Sequence, residues 1–177
     1  MNEGRYSMTH LAKAALLVAA LGLGACTDPA RLGGGSGDGG FGGGTGALGD
    51  PSNPASIAYF NRTVGDRVLF AVDQSTLDDT ARATLGEQAV WLSANPEYAV
   101  LIEGHADERG TREYNLALGA RRANSVQEYL ISQGVAANRL RTVSYGKERP
   151  TEICSDESCY QQNRRAVSVV TAGAPVN

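Results

Sequence analysis

Apolar and polar positions divide the 177-residue chain into three stretches of different grain. An apolar run from Ala14 to Ala25 carries no charge. From Arg31 to Asp50 glycine dominates and offers little to bury. From Ile57 to Val170 short apolar runs alternate with polar, turn-forming residues, the pattern of a packed domain. Within it, Arg67 to Val72 reads as a buried strand. Asp78-Asp79-Thr80 opens a helix, with its acidic residues at the positive end. Ala81, Leu85, Ala89 and Leu92 recur at helical spacing until Asn95-Pro96 ends the helix. Tyr98 to Glu103 predicts a second strand that runs into Gly104-His105. A longer helix is predicted from Thr111 or Arg112 to Gly134, with Leu118, Val126 and Leu130 on its buried stripe and Tyr129 alongside. Leu140 to Tyr145 and Arg165 to Val170 supply a third and a fourth strand. This alternation predicts an α/β (α+β) sandwich of order β-α-β-α-β-β, with the helices packed on one sheet and a single core.

The first stretch reads as a targeting segment. Arg5, His10 and Lys13 form a basic leader before the apolar run. That run is shorter than the ~20 residues needed to cross a hydrocarbon core, and it fits the apolar region of a secretory signal. It ends in Leu23-Gly24-Ala25-Cys26, which resembles the bacterial lipobox. The resemblance implies a lipoprotein signal peptide over residues 1–25, with Cys26 as the mature N-terminus carrying one amide-linked and two ester-linked acyl chains. Two or more chains give stable anchoring where one gives only marginal binding. The competing reading is a plain signal peptide with a chance cysteine. Met1 and Met8 both remain possible starts, since Met8 to Cys26 by itself makes a complete signal. Thr27 rather than Asp after the cysteine points to the outer membrane, with the domain facing the periplasm.

Residues 26–56 are expected to form a flexible tether, because a glycine tract buries too little to offset its ordering entropy. A coil of about 30 residues spans roughly 30 Å r.m.s. and roughly 100 Å at full stretch. The tract has neither the three-residue period nor the proline of collagen. Residues 57–177 make the globular domain.

A formal net charge of −3 gives no electrostatic case for nucleic acid. The 3 cysteines divide into Cys26 and the closely spaced pair Cys154 and Cys159, which in an exported protein suggests a disulfide. A half-site for metal is the alternative, but no second cysteine pair or histidine cluster completes it.

The block Glu103 to Asn115, EGHADERGTREYN, concentrates charge and one of the 2 histidines immediately after a strand. Glu103, His105, Asp107 and Glu108 raise the question of a metal, yet the other histidine, His10, lies in the leader. A nucleophilic triad is not legible, nor is a G-x-S-x-G elbow. From composition alone the block is a solvated, charged loop.

The string GHADERGTREYN, followed by LALGARRANSVQEYL, VSYGKERP and QQNRRAV, resembles the OmpA-like C-terminal domain family over about Arg67 to Val170. Within that family it is most similar to the peptidoglycan-associated lipoproteins. The resemblance implies a non-enzymatic domain, without cofactor or metal, that binds the diaminopimelate of peptidoglycan stem peptides. It implies a carboxylate, Asp107, for the ligand ammonium and an arginine, Arg122, for the ligand carboxylate. A guanidinium suits that role because its planar fork gives two parallel charge-assisted bonds. Val72 and Asp73 match rim positions, and Thr111 and Leu118 complete the expected wall. Substituting Asp107 or Arg122 by Ala is then expected to abolish wall binding and leave the fold intact. Against these roles, Asp107 has a second reading as a helix cap, and His105 as a structural hydrogen-bonding residue. Arg121 is expected to face solvent or to pair with a helical neighbour, and Arg165, which follows Arg164 before the last strand, to make a surface ion pair or to support the pocket. Where relatives read F-D-F-D this chain reads Phe70-Ala71-Val72-Asp73, without the first carboxylate. The resemblance further implies a link between outer membrane and wall in the Tol–Pal system of cell division, with a TolB-like periplasmic partner. The alternative is an OmpA-like wall-binding lipoprotein without a Tol partner.

Overall fold

A computed structural model describes residues 49–173. The expected signal peptide, Cys26 and the glycine tract through residue 48 lie outside the described residues. The expected end of the tether at Ser56 falls inside folded chain. Ser56 is buried, its hydroxyl faces the Asp50 and Asn53 carbonyls, and it accepts the Tyr59 N–H. The Trp91 indole N–H donates to the Pro54 carbonyl at 2.7 Å, and the Tyr98 hydroxyl to that of Ala55 at 3.0 Å. A buried indole needs such a partner, and here the backbone just before Ser56 supplies it.

One helical turn, α1 (Ile57–Tyr59), continues as a π-helical segment, Phe60–Gly65. Then follow β1 (Arg67–Leu69), α2 (Asp79–Ala94), β2 (Tyr98–His105), α3 (Arg112–Ser132), β3 (Leu140–Gly146), α4 (Glu157–Asn163) and β4 (Arg165–Ala172). The sheet order is β1-β4-β2-β3, with β2 and β3 parallel and β4 antiparallel to both β1 and β2. The α/β class and strand order along the chain match expectation, while α1 and α4 were not foreseen. The first strand is also shorter than Arg67–Val72, because the chain turns at Ala71–Gln74 and Asp73 takes a left-handed conformation (φ 58°). Asp tolerates that region better than most residues.

Asp78 caps α2 by accepting the Ala81 N–H, and Thr111 caps α3 by accepting that of Tyr114. Val100, Ile102 and Gly104 of β2 alternate inward with Ala166, Ser168 and Val170 of β4. They meet Leu85 and Leu92 of α2 and Val126 and Leu130 of α3 in one core. Phe60, Trp91 and Tyr98 stack along its end, with ring centroids 4.9 and 5.2 Å apart. The α3 helix lies directly on β2 where two glycines meet. A Cβ on Gly104 would stand 1.8 Å from the Gly119 carbonyl oxygen. That contact sets how closely the N-terminal half of α3 approaches the end of β2, and hence where the charged block sits.

Candidate functional site

Beyond His105 the chain leaves the sheet after one more bond, from Ala106 N–H to the Gly146 carbonyl at 2.8 Å. Asp107 stands just past that point, at the C-terminal end of β2. The following loop is held from outside. Asn115 Nδ2 donates to the Arg109 carbonyl at 2.7 Å, and Lys147 Nζ to those of Glu108 and Gly110. Glu108 accepts from Ser155 Oγ and from the Tyr160 hydroxyl, and these bonds hold its carboxyl below the usual range.

A cleft of about 310 Å³ opens between this loop, the β1–α2 turn and α3. Asp107 and Arg109 line it from the loop, Val72 and Asp73 from the turn, Tyr114, Leu118 and Arg122 from α3, and Arg164 from the chain before β4. Of the residues singled out in the sequence, Val72, Asp73, Asp107, Leu118 and Arg122 converge here. Thr111 is outside the lining, since its hydroxyl is the cap of α3. That also removes the helix-cap reading of Asp107.

Arg122 is fully buried. Its Nε donates to the Gln74 carbonyl at 2.8 Å, Nη1 to that of His105 at 2.7 Å and Nη2 to that of Ala71 at 3.2 Å. The guanidinium thus joins the β1–α2 turn to the end of β2, and three of its five N–H donors are committed to backbone. Burial pushes its pKa down to about 10, against the attraction of Asp107. The carboxylate missing at Ala71 leaves this arrangement intact, because the bond is to backbone. Asp73 accepts from the Tyr114 hydroxyl across the cleft.

Asp107 is paired twice. Arg109 Nη2 lies 2.6 Å and Arg164 Nη1 3.3 Å from the same oxygen, Oδ2, while Oδ1 accepts the Arg109 backbone N–H at 3.2 Å. Burial pushes the Asp107 carboxyl up, but the bonds from Arg109 and Arg164 outweigh it and leave the group below its ordinary value. Arg164 also donates to the Phe70 carbonyl and to Glu157 at 2.7 Å. The surface ion pair expected of Arg165 is corrected, and Arg164 beside it is no more exposed. Both side chains are buried; Arg165 donates to the Asn163 and Arg149 carbonyls, and Arg164 is part of the cleft.

His105 is buried against Tyr145, and among the described residues neither ring nitrogen has a well-formed hydrogen bond; Glu103 Oε2 is 3.6 Å away. Its expected hydrogen-bonding role belongs to its backbone carbonyl, which receives Arg122. Burial, with Arg165 and Arg149 nearby, lowers the imidazole pKa to about 4. Cys154 and Cys159 form a disulfide with Cα atoms 5.8 Å apart, and Cys159 lies within α4 rather than in a loop.

Residues 69–165 match the model of the OmpA family. The peptidoglycan-associated lipoprotein of Agrobacterium fabrum is 50% identical over 151 residues, 85% of this chain and 82% of that protein. Its namesake in Rhizobium meliloti is 56% identical over 119 residues, 67% of this chain and 68% of that one. Among solved structures, the peptidoglycan-associated lipoprotein of Burkholderia pseudomallei shares 39% identity and a TM-score of 0.61, over 69% of this chain and 100% of that chain. The C-terminal domain of Helicobacter pylori MotB shares the fold, with a TM-score of 0.57 at 21% identity over 62% of this chain and 86% of that one.

Proposed function

The chain belongs to the OmpA family, and from that premise we propose that it binds peptidoglycan without covalent linkage, through the cleft at Asp107. Its similarity to proteins named peptidoglycan-associated lipoprotein supports the reading. The observation that carries it is the convergence of Asp107, Arg122 and Arg164 on one cleft. A stem peptide containing diaminopimelate presents an ammonium and a carboxylate on one centre. Asp107 accepts the ammonium. The carboxylate takes the two N–H donors that Arg122 keeps free of backbone, with Val72, Asp73 and Leu118 as rim and wall. Purified sacculi are expected to retain the wild-type domain and to release Asp107→Asn, a variant that keeps shape and removes charge. Equal retention of both overturns the assignment.

The rest of the proposal follows from the N-terminal sequence. Cys26 carries the lipid, the glycine tract tethers the domain from the outer membrane, and the protein faces the periplasm. Cys26→Ser is expected to move the protein from membrane to soluble periplasm, and palmitate labelling that persists in the variant refutes lipidation there. The domain acts as a rivet, so muropeptides incubated with it are expected back unchanged. Participation in the Tol–Pal system during division predicts co-purification with a TolB-like protein. Wall binding without that partner favours a Tol-independent lipoprotein of the same family.

A further inference from the structure

Asp107 Oδ2 meets two arginines from different environments. The Arg164 side chain is 4% exposed and fixed by Phe70 and Glu157, whereas that of Arg109 is 44% exposed. The more exposed cation makes the shorter contact, 2.6 against 3.3 Å. Arg109 also has a second place to rest: its Nη1 is 3.6 Å from Glu157 Oε2 and its guanidinium lies 4.5 Å from the centre of the Tyr160 ring. The Arg109 backbone is held at its carbonyl by Asn115 and at its N–H by Asp107 Oδ1, so only the side chain needs to move.

We propose that Arg109 is a displaceable internal cation, which holds the place on Asp107 that a ligand ammonium takes and passes to Glu157 and Tyr160 when ligand enters. The exchange keeps the number of cations on Asp107 constant, and Arg164 keeps the carboxylate paired throughout. A ligand bearing only a carboxylate has nothing to put in place of Arg109. The gate therefore selects for an ammonium beside the carboxylate, which is the diagnostic group of a diaminopimelate stem. This inference rests on the Asp107 site proposed above.

The test is calorimetric titration of the wild-type domain, Arg109→Gln and Asp107→Asn with a diaminopimelate-containing tripeptide. The pair is half-buried, with Arg109 44% and Asp107 10% exposed, and an internal competitor of this kind lowers apparent affinity by up to about fivefold. Arg109→Gln is accordingly expected to bind up to about fivefold more tightly. In the wild type, the Arg109 guanidinium resonances are expected to shift on saturation. Weaker binding by Arg109→Gln makes Arg109 a ligand contact, and unchanged binding makes it a bystander; either overturns the gate. Undiminished binding by Asp107→Asn instead overturns the site itself, whatever Arg109 does.

Discussion

Replacing Arg122 tests how far its charge is structural. Arg122→Met keeps much of the apolar stem and removes the guanidinium. Three bonds to backbone carbonyls are lost, from Gln74, His105 and Ala71. Hydrogen bonds to a charged partner contribute about 1.5–3 kcal/mol each, so the gross loss is about 5–9 kcal/mol. Burial of the charge offsets part of it. The fall of the guanidinium from 12.5 to about 10 corresponds to about 3 kcal/mol. A net loss of about 4 kcal/mol results, a large share of the 5–15 kcal/mol that stabilises ordinary domains. Arg122→Ala is expected to lose more, since it also leaves a cavity.

Urea denaturation followed by fluorescence provides the assay, because the chain has 1 tryptophan and Trp91 is buried in the core. A loss below about 1 kcal/mol for Arg122→Met refutes the stitching role and returns Arg122 to a ligand contact alone. The expected result revises the sequence-based view that Arg122→Ala spares the fold. Loss of wall binding in that variant reports on two things at once. Asp107→Asn separates them better, because Glu157 still compensates Arg164.

His105 is expected to make the domain acid-sensitive. Its pKa is depressed in the folded state, so the unfolded chain binds the proton first and stability falls as pH drops from 6.5 to about 4. The loss is up to about 3 kcal/mol; Glu103, Tyr145, Arg149 and Arg165 surround the ring. Urea midpoints at pH 7 and pH 4 should differ less in His105→Asn than in wild type, and an equal difference refutes the attribution. Gly104→Ala is expected to cost more than about 4 kcal/mol, since the new Cβ meets Gly119 backbone; a melting curve superposing on wild type by circular dichroism contradicts that packing. Opening the Cys154–Cys159 bond by the double Ser substitution should remove about 2 kcal/mol, and an unchanged Tm shows that this loop is ordered without it.

Elements with long, regular periodicity were legible in the sequence. The α2 stripe of Ala81, Leu85, Ala89 and Leu92 is buried as its spacing predicts. At β1 an apolar run misled, because its residues are apolar for different reasons. Phe70 belongs to the core, whereas Val72 is half exposed on the cleft rim. The seven-residue α4 is too short to show a stripe, and its sequence signal is the capping Asp156, which accepts the Ser158 and Cys159 N–H groups. The burial of Arg164 was not legible because pattern reading counts every arginine as polar and exposed. Its burial is decided by Phe70 and Asp107, residues 94 and 57 positions away along the chain.

Those distant partners change what the charged block does. A lone Asp107–Arg122 pair suggests a site that gains its charge balance from the ligand. In the folded chain the balance exists beforehand: Arg109, Arg122 and Arg164 face Asp73, Asp107 and Glu157, three cations against three carboxylates. Burying an unpaired arginine is costly, and two of these three side chains are almost wholly buried. The carboxylates therefore balance these buried cations whether or not ligand is present. A zwitterion adds no net charge to such a site, so on the function proposed above it would enter by exchanging partners rather than by neutralising a field. Exchange needs one partner that can leave. Arg122 is held by three carbonyls and Arg164 by Phe70 and Glu157, which leaves the half-exposed Arg109 as the movable member of the set.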